Sequence, residues 1–598
     1  MCGIAGVCGG ARDGALALVG RLNDLQMHRG PDHAVRVPAG STVLGNTRLA
    51  IQDLSPGGQQ PFVSSDGRYV SVVNGEIYNF KELVKDHGLE VKGNCDGAVI
   101  PPLFERLGTR AFAHLVGMYA IAIVDTHEDS LTLCRDPFGI KPLYVRALED
   151  RRLVFASEIR PLASIEPRPS LDPGSLAHFL HQGALAPASS PYASIVSVPP
   201  NSFVTLKADS SRGLSTLSFE PVLTGAHPLL RSPCTDQLGE AFLRSVDLHL
   251  RADVEIALLM SSGVDSSAVA AAAAHGGRRL RGFTVAVPGL VDESAMAADA
   301  ARQWGHDHTT IPAEVSPTVI TDFFSAMQRP SVDGLNTYLV SRAIQAQGYR
   351  VALSGLGADE ALLGYRHMRM ARLLPALHMT DRVPGLGRMA AGAAERRGKT
   401  KVAELVRPGA PRDACCFSRL FRQVLPEGLS RALVGMAPQP AGLANHPERL
   451  GVADRARTAI IESEVGNYLQ AVLLPDADAF SMTCSLELRV PYVNREVYAA
   501  AACSRSVGSA KKALVRQLHD PTLHSISSRP KVGFEMPIQA WMADGALVDR
   551  VADLWRDDAP VWDHVDRDLV RGRSGGSAEL PWLVQWAFVV LNAWLVSC

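Results

Sequence analysis

The sequence predicts two successive units, a layered α+β unit over residues 1–205 and an α/β unit with a parallel sheet over residues 233–598. Three observations predict this. Short β-rich runs separated by turn signals fill the first third. In the second unit, apolar runs lead into Ser/Gly loops and then helices, the order of a doubly wound sheet. Between them, residues 206–232 hold Asp209-Ser210-Ser211-Arg212-Gly213 and Thr224-Gly225-Ala226-His227-Pro228, a polar, turn-rich stretch that reads as a linker. A chain of 598 residues is also too long for one core.

Composition narrows the function classes. Lys+Arg number 60 and Asp+Glu 61, a net charge of -1, so no basic field attracts nucleic acid. The ten cysteines are scattered, with a vicinal pair at Cys415-Cys416 and no C-x-x-C spacing. That pattern indicates neither a disulfide framework nor a zinc site. The N-terminus lacks a basic region followed by an apolar run, which predicts a cytoplasmic chain with no leader. The most apolar stretch, Trp582 to Val596, is shorter than the about 20 residues a bilayer needs and is interrupted by Gln585 and Asn592. It reads as a closing helix on the core, not as an anchor.

In the first unit, Val43-Leu44-Gly45, Tyr69 to Val73, Tyr119 to Val124 and Ser130 to Cys134 read as strands; Leu16 to Met27 and Asn79 to His87 read as helices. Cys2 follows the initiator methionine. With Met1 removed it carries a thiol and an α-amine on one residue, and the amine, with a reference pKa near about 7.7–8.0, is a base for its own thiol. Three features complement it. Arg48 ends a strand, and its guanidinium fork suits a carboxylate. Asn74-Gly75 follows the strand ending at Val73, so an amide donor and a glycine backbone offer an oxyanion hole. Asp96, in a turn, suits an ammonium group. Together they describe an amino-acid amide substrate.

In the second unit, Ile256 to Met260 precedes Ser261-Ser262-Gly263-Val264-Asp265-Ser266-Ser267, and Ala268 to Ala274 reads as a helix. Such a loop puts free N–H groups at a helix N-terminus, which favours phosphate. Asp265 fits beside phosphate when a cation bridges them, as Mg²⁺ does. Phe283 to Val287 and Arg350 to Ser354 read as further buried strands. The second leads into Ser354-Gly355-Leu356-Gly357-Ala358-Asp359-Glu360, a matching loop whose Asp359 can share the Mg²⁺ with Asp265.

These segments carry a resemblance. His28-Arg29-Gly30-Pro31-Asp32, Asn74 to Asn79, Arg135 to Tyr144 and Phe155 to Ile159 resemble class II glutamine amidotransferase domains. The second unit resembles the synthetase domain of asparagine synthetases, in the PP-loop ATP pyrophosphatase superfamily, through the two loops, Ser485-Leu486-Glu487-Leu488-Arg489-Val490-Pro491, Lys512 to Arg516, and Arg529-Pro530-Lys531-Val532-Gly533-Phe534. The resemblance implies an N-terminal-nucleophile αββα sandwich, then a PP-loop sheet with a helical C-terminal part. It implies that Cys2 attacks glutamine, that Asn74 and Gly75 hold the oxyanion, and that Arg48, Glu76 and Asp96 position the glutamine. On the ATP side it implies phosphate contacts from Ser261, Ser262, Gly263, Asp265, Ser266, Ser354 and Gly355, with Leu259 and Val285 flanking the nucleotide. Mg²⁺ falls to Asp265 and Asp359, and Lys531 meets the phosphates or the acyl adenylate. The implied reaction adenylates a small-molecule carboxylate and converts it to an amide with ammonia delivered through an internal tunnel. Lost catalysis in a scaffolding protein is the contrary reading, and the retained Cys2, Asn74, Asp265, Asp359 and Lys531 argue against it.

Departures keep the substrates open. The family usually has an acidic residue where this chain has Ala98, and glycine where it has Ser262. Asparagine synthetases often carry Glu at the position of Leu356, and Pro330 to Tyr338 is not the serine- and threonine-rich version that helps hold aspartate. The acceptor is therefore aspartate or, as in relatives that amidate antibiotic precursors, another carboxylate; the donor is glutamine or a glutamine-derived amine. The oligomeric state stays open, a homodimer included. The basic, helix-rich stretch 366–455 reads as a solvated face.

Overall fold

The computed structural model describes residues 2–598 except 208–216, 225–228, 230–236, 288, 290–292, 366, 369–384, 398–399, 408–413, 438–453, 504–509, 530–535 and 574–579. The first unit contains strands β1 (Cys2–Cys8), β2 (His33–Ala39), β3 (Thr42–Arg48), β4 (Phe62–Val63), β5 (Tyr69–Ile77), β6 (Gly117–Asp125), β7 (Ser130–Arg135), β8 (Tyr144–Ala147), β9 (Leu153–Ala156), β10 (Ile195–Ser197), β11 (Ser202–Lys207) and β12 (Glu220–Pro221). They form two antiparallel six-stranded sheets, ordered β10-β8-β9-β1-β3-β2 and β12-β11-β7-β6-β5-β4. Ile4, Leu44, Val145 and Phe155 from one sheet meet Val72, Ala122 and Leu133 from the other in a shared apolar layer. Helix Arg12–Leu25 covers the outer face of the first sheet through Leu18, Val19 and Leu22. Helices Phe80–His87 and Ile100–Leu107 cover the second through Phe80, Leu83, Leu103 and Phe104. The layering is αββα. Sheets buried on both faces explain why β1 is apolar or small along its whole length, and why β3 is buried throughout, its Asn46, Thr47 and Arg48 included.

Helix Arg12–Leu25 begins four residues before the expected Leu16. Its first turn, Arg12-Asp13-Gly14, is polar because it precedes the buried stripe, so apolar periodicity misses it. Helix Phe80–His87 stops where Gly88 takes φ 56°, a left-handed cap. Within the stretch 206–232, Lys207 ends β11, Glu220–Pro221 pairs with Ser202 and Phe203, and Val222 and Leu223 are buried against Phe203 in the first unit's outer layer. Some of that polar stretch is therefore sheet edge.

The second unit carries β13 (Ile256–Leu259), β14 (Arg281–Ala286), β15 (Asp307–Pro312), β16 (Val351–Leu353) and β17 (Glu487–Arg489), all parallel and ordered β15-β14-β13-β16-β17. Strand order reverses at β13, so the crevice beyond the carboxyl ends of β13 and β16 is the topological switch point. Helix Trp582–Val596 buries Trp586, Phe588 and Trp594 in a cluster shared with Leu176 and Phe179 of the first unit. Among the described residues no helix is long and apolar enough to cross a membrane. Cys503 is disulfide-bonded, whereas Cys2, Cys8, Cys95, Cys134, Cys484 and Cys598 are free. Sequence spacing cannot pair cysteines that only folding brings together.

Buried charges join the units. Arg29 pairs with Asp478 at 2.8 Å and with Glu158 at 3.1 Å, and Lys141 reaches Asp478 at 3.2 Å. Asp478 lies on helix Leu474–Thr483 of the second unit, and all four side chains are buried. Breaking such a pair leaves an uncompensated interior charge, a cost of about 3–5 kcal/mol. Asp478→Asn is expected to lower stability by that order. Denaturant unfolding followed by tryptophan fluorescence checks it; a midpoint like that of the parent would show that the seam carries no such load.

Candidate active sites

The first site forms where β1, β3 and β5 meet. Cys2 pairs with Arg48 across β1 and β3, so their side chains share a face. The Cys2 thiol is 4% exposed. The Cys2 N–H donates to Asn74 Oδ1 at 3.4 Å, and Gln60 Nε2 donates to Cys2 Sγ at 3.4 Å. Gln60 is itself fixed by Val73, accepting from its N–H at 2.6 Å and donating to its carbonyl at 2.9 Å. Asn74 Nδ2 donates to Ser157 Oγ at 3.4 Å, and Ile4 N–H donates to the same hydroxyl at 3.0 Å. Gly75 has φ 147°, and a Cβ there would stand 2.0 Å from the Met118 carbonyl oxygen. β5 runs on to Ile77, so Asn74 and Gly75 lie within the strand and not after its end at Val73 as the apolar run predicts, and only glycine fits at position 75.

Glu76 and Asp96 are both buried. Burial raises the Glu76 carboxyl well above its ordinary range, Asp96 and Glu487 add to this, and Arg489 opposes it. Burial also raises Asp96, against the Ile77 N–H donating to Oδ2 at 2.6 Å. Two buried carboxylates with raised pKa values form a cation-seeking pocket. Arg48 donates through Nη2 to the carbonyls of Gln52 at 3.1 Å and Asp53 at 2.6 Å, so it also orders the turn beside the thiol. Ala98 packs with Phe62 and Cys95 in a small apolar cluster. The position usually acidic in the family is here part of the packing.

The second site lies at the switch point. A cavity of about 720 Å³ is lined by Leu259, Ser261, Asp265, Ser266, Val285, Ser354, Gly355, Leu356 and Asp359. Ser261 and Ser266 hydroxyls bond each other at 3.0 Å, and Ser266 Oγ also accepts from Ser261 N–H at 3.1 Å. Ser262 and Gly263 complete the loop without lining the cavity. Their N–H groups donate to Glu293 Oε2 at 3.1 Å and Ser261 Oγ at 3.2 Å. Helix Val264–His275 starts immediately after, its N-terminus facing the loop. A Cβ on Gly355 would come within 2.9 Å of the Ser266 nitrogen, so the two loops touch.

Lys511 Nζ lies 2.6 Å from Asp265 Oδ1 and 2.9 Å from Asp359 Oδ1. Burial would lower this ammonium, but the two carboxylates overcome it and raise its pKa. Two carboxylates from adjacent strand ends thus converge on one cation position beside a phosphate-type loop. That donor set fits Mg²⁺, which takes one or two carboxylates together with phosphate oxygens. Lys511 was not anticipated; the neighbouring motif begins at Lys512, and helix Ala510–Gln517 turns Lys511 toward the carboxylates. Gln60 and Ser157 were also missed, because a lone Gln or Ser carries no spacing signal. Lys531 lies outside the described residues.

On the acceptor side, Leu356, Asn336, Thr337, Tyr365 and Leu473 also line the cavity. Ser331 donates to Asp476 Oδ2 at 2.6 Å, and Asp333 accepts from the Tyr468 hydroxyl at 3.0 Å. Both are thus engaged with the helical wall. Tyr468 and Leu473 belong to a π-helical stretch, Val465–Leu473, a distortion that the sequence does not announce and that is frequent at functional sites. Arg422, from the stretch read as a solvated face, instead sits 3.4 Å over the Tyr468 ring and pairs with buried Glu464 at 2.6 Å.

Fold and geometry define an enzyme class with an N-terminal thiol site on an αββα sandwich and a phosphate-loop site on a parallel sheet. Residues 1–216 match the family described as glutamine amidotransferase domain, and residues 237–595 match asparagine synthase. The chain belongs to the asparagine synthase family. It is 27% identical to asparagine synthetase 1 (glutamine-hydrolyzing) of Bacillus subtilis, covering 88% of this chain and 84% of that one. It is 29% identical to asparagine synthetase B (glutamine-hydrolyzing) of Escherichia coli over 63% of this chain and 68% of that one. It is also 29% identical to amidase chry2 of Gibberella zeae, over 60% and 57%.

Lys511→Met removes the ammonium beside Asp265 and Asp359 that an incoming triphosphate would meet. MgATP binding by calorimetry is expected to weaken at least about tenfold, or 1.4 kcal/mol, while glutamine hydrolysis stays within about threefold of the parent. Undiminished MgATP affinity would remove Lys511 from the site.

Proposed function

We propose that the chain is a glutamine- and ATP-dependent, AMP-forming amidotransferase whose first unit releases ammonia and whose second unit converts a carboxylate to an amide. The observation that carries the ATP reading is the convergence of Asp265 and Asp359 on one cation position at the mouth of the Ser261–Ser266 loop. With Met1 removed, Cys2 attacks the glutamine side-chain amide, and its α-amine takes the thiol proton. Gln60 steadies the sulfur, Asn74 and Gly75 receive the oxyanion, and Arg48, Glu76 and Asp96 hold the amino-acid end. Ammonia then crosses the apolar junction, where Leu49, Met118, Phe138 and Ile140 of the first unit share a cluster with Leu258, Leu353 and Val490 of the second. An apolar path keeps water from both hydrolysable intermediates.

In the second site, Ser261, Ser266, Ser354 and Gly355 cradle the phosphates, Ser262 and Gly263 shape the loop behind them, and Leu259 and Val285 flank the base. Asp265 and Asp359 would hold a Mg²⁺, whose charge would offset that on the departing pyrophosphate. Lys531 completes the positive environment. A carboxylate oxygen attacks the α-phosphorus, pyrophosphate departs, and ammonia displaces AMP from the acyl carbon. The glutaminase unit occupies residues 1–205 together with the sheet edge out to Leu223, and the synthetase 233–598, with a homodimer compatible with either site.

A second reading, a carboxylate other than aspartate in a specialised biosynthetic pathway, is favoured by the acceptor wall. Leu356 presents an alkyl group there, and Ser331 and Asp333 are engaged elsewhere.

Cys2→Ala is expected to abolish glutamine-dependent product, at least about 10³-fold, and to leave ammonia-dependent product within about twofold. Asp265→Ala is expected to abolish pyrophosphate release with either nitrogen source. Pyrophosphate release screened across carboxylates, aspartate first, then chooses between the two readings. Full glutamine-dependent activity in the Cys2 variant would overturn the nucleophile assignment, and normal pyrophosphate release in the Asp265 variant would overturn the loop assignment.

A further inference from the structure

Arg489, on β17, is fully buried at the junction of the two units. Its Nη1 donates to the carbonyls of His249 and Arg251, both at 2.7 Å, and its Nε donates to Glu487. The remaining Nη2 makes no hydrogen bond and stands 3.6 Å from Glu76 Oε2. The guanidinium also lies 5.6 Å over the ring of Tyr78, which in turn packs against the His249 ring at 4.3 Å. Glu76 is one residue from the Gly75 oxyanion position. The other end of Arg489 reaches the second site directly, because its backbone carbonyl accepts the Ser354 N–H at 2.9 Å. Ser354 opens the second phosphate loop and lines the cavity. One residue therefore touches the glutamine pocket with its side chain and the ATP loop with its backbone.

We propose that Arg489 is a positioning residue that couples occupancy of the glutamine pocket to the affinity of the second site for nucleotide. This rests on the proposed reading of the two sites. An ammonium group bound beside Asp96 and Glu76 favours their ionised forms, which burial otherwise disfavours. An ionised Glu76 draws the free Nη2 of Arg489 into a full ion pair. The guanidinium is already tied to two carbonyls and Glu487, so this last bond fixes β17 and the carbonyl that anchors Ser354. The loop is then preorganised for phosphate before nucleotide arrives. A purely structural Arg489 would stabilise the fold without any dependence of one site on the other.

The full chain carrying Cys2→Ala binds glutamine without consuming it, so both ligands can be titrated at equilibrium. The probes are L-glutamine and the magnesium complex of α,β-methylene-ATP, followed by calorimetry. Saturating glutamine is expected to tighten the nucleotide analogue about fivefold, and the analogue to tighten glutamine by the same factor, since coupling is reciprocal. Adding Arg489→Lys keeps the charge and loses the fork; the coupling ratio is expected to fall below about twofold while each ligand alone binds within about threefold. If Arg489→Lys does not fold, Glu487→Gln, which loosens the hold on Nε, is expected to lower the ratio in the same way. An unchanged ratio in the folded variant, or independent binding of both ligands in the parent, overturns the coupling. Failure of either ligand to bind the parent at all would instead overturn the proposed function.

Discussion

The structure depends on burying charge at the junction of two units without leaving it unpaired. Arg29, Lys141, Glu158 and Asp478 form one such set, and Arg489, Glu487 and Glu76 form another. Burial alone would raise the Glu158 carboxyl, yet His28 and Arg29 together bring it to about 2. A charge seam of this kind adds little net stability over an apolar one. What it adds is registry. Arg29 satisfies Asp478 and Glu158 only when helix Leu474–Thr483 sits at one position against the first sheet. An apolar seam would allow sliding, and sliding would shift the Cys2 site against the phosphate-type loop.

Much of this was legible in the sequence because the chemistry is local there. Asn74-Gly75 sits on one strand, Ser261 to Ser266 on one loop, and the second loop follows its own apolar run. The strands were visible as apolar runs, and the switch-point crevice followed from two loops of one type. What was not legible is what folding assembles from distant parts of the chain. Lys511 becomes a partner of Asp265 and Asp359 only through helix Ala510–Gln517. Gln60 reaches Cys2 from 58 residues away. Arg422 reads as surface charge in a basic stretch, and only the fold turns it onto Tyr468 and Glu464. Helix boundaries were displaced where a polar first turn precedes the buried face.

The departures from the family pattern resolve into two kinds. Ala98 is packing: its side chain fills a cluster with Phe62 and Cys95, and a carboxylate there would need a partner that this cluster does not offer. Leu356 is different, because it faces the cavity while also packing against both apolar clusters beside the parallel sheet. A carboxylate at that point would add another acidic group to a cavity that Asp265, Asp359, Glu293 and Glu360 already line. With leucine there, this part of the cavity presents an alkyl wall, and the Lys511 ammonium is shared by Asp265 and Asp359.

That balance bears on how the site works. An ammonium held between Asp265 and Asp359 occupies the position a divalent cation would take, so the proposed MgATP would have to displace it. The displaced ammonium does not leave the site, since Lys511 is anchored on a buried helix face; it is left beside the incoming phosphates. If the proposed MgATP enters, the carboxylates would pass from the lysine to the metal and the lysine to the triphosphate, which offsets part of the net negative charge that MgATP brings. A site built this way avoids exposing two unpaired carboxylates to a polyanion at any stage. That is why the unanticipated lysine, more than either loop taken alone, makes the second crevice intelligible as a nucleotide site.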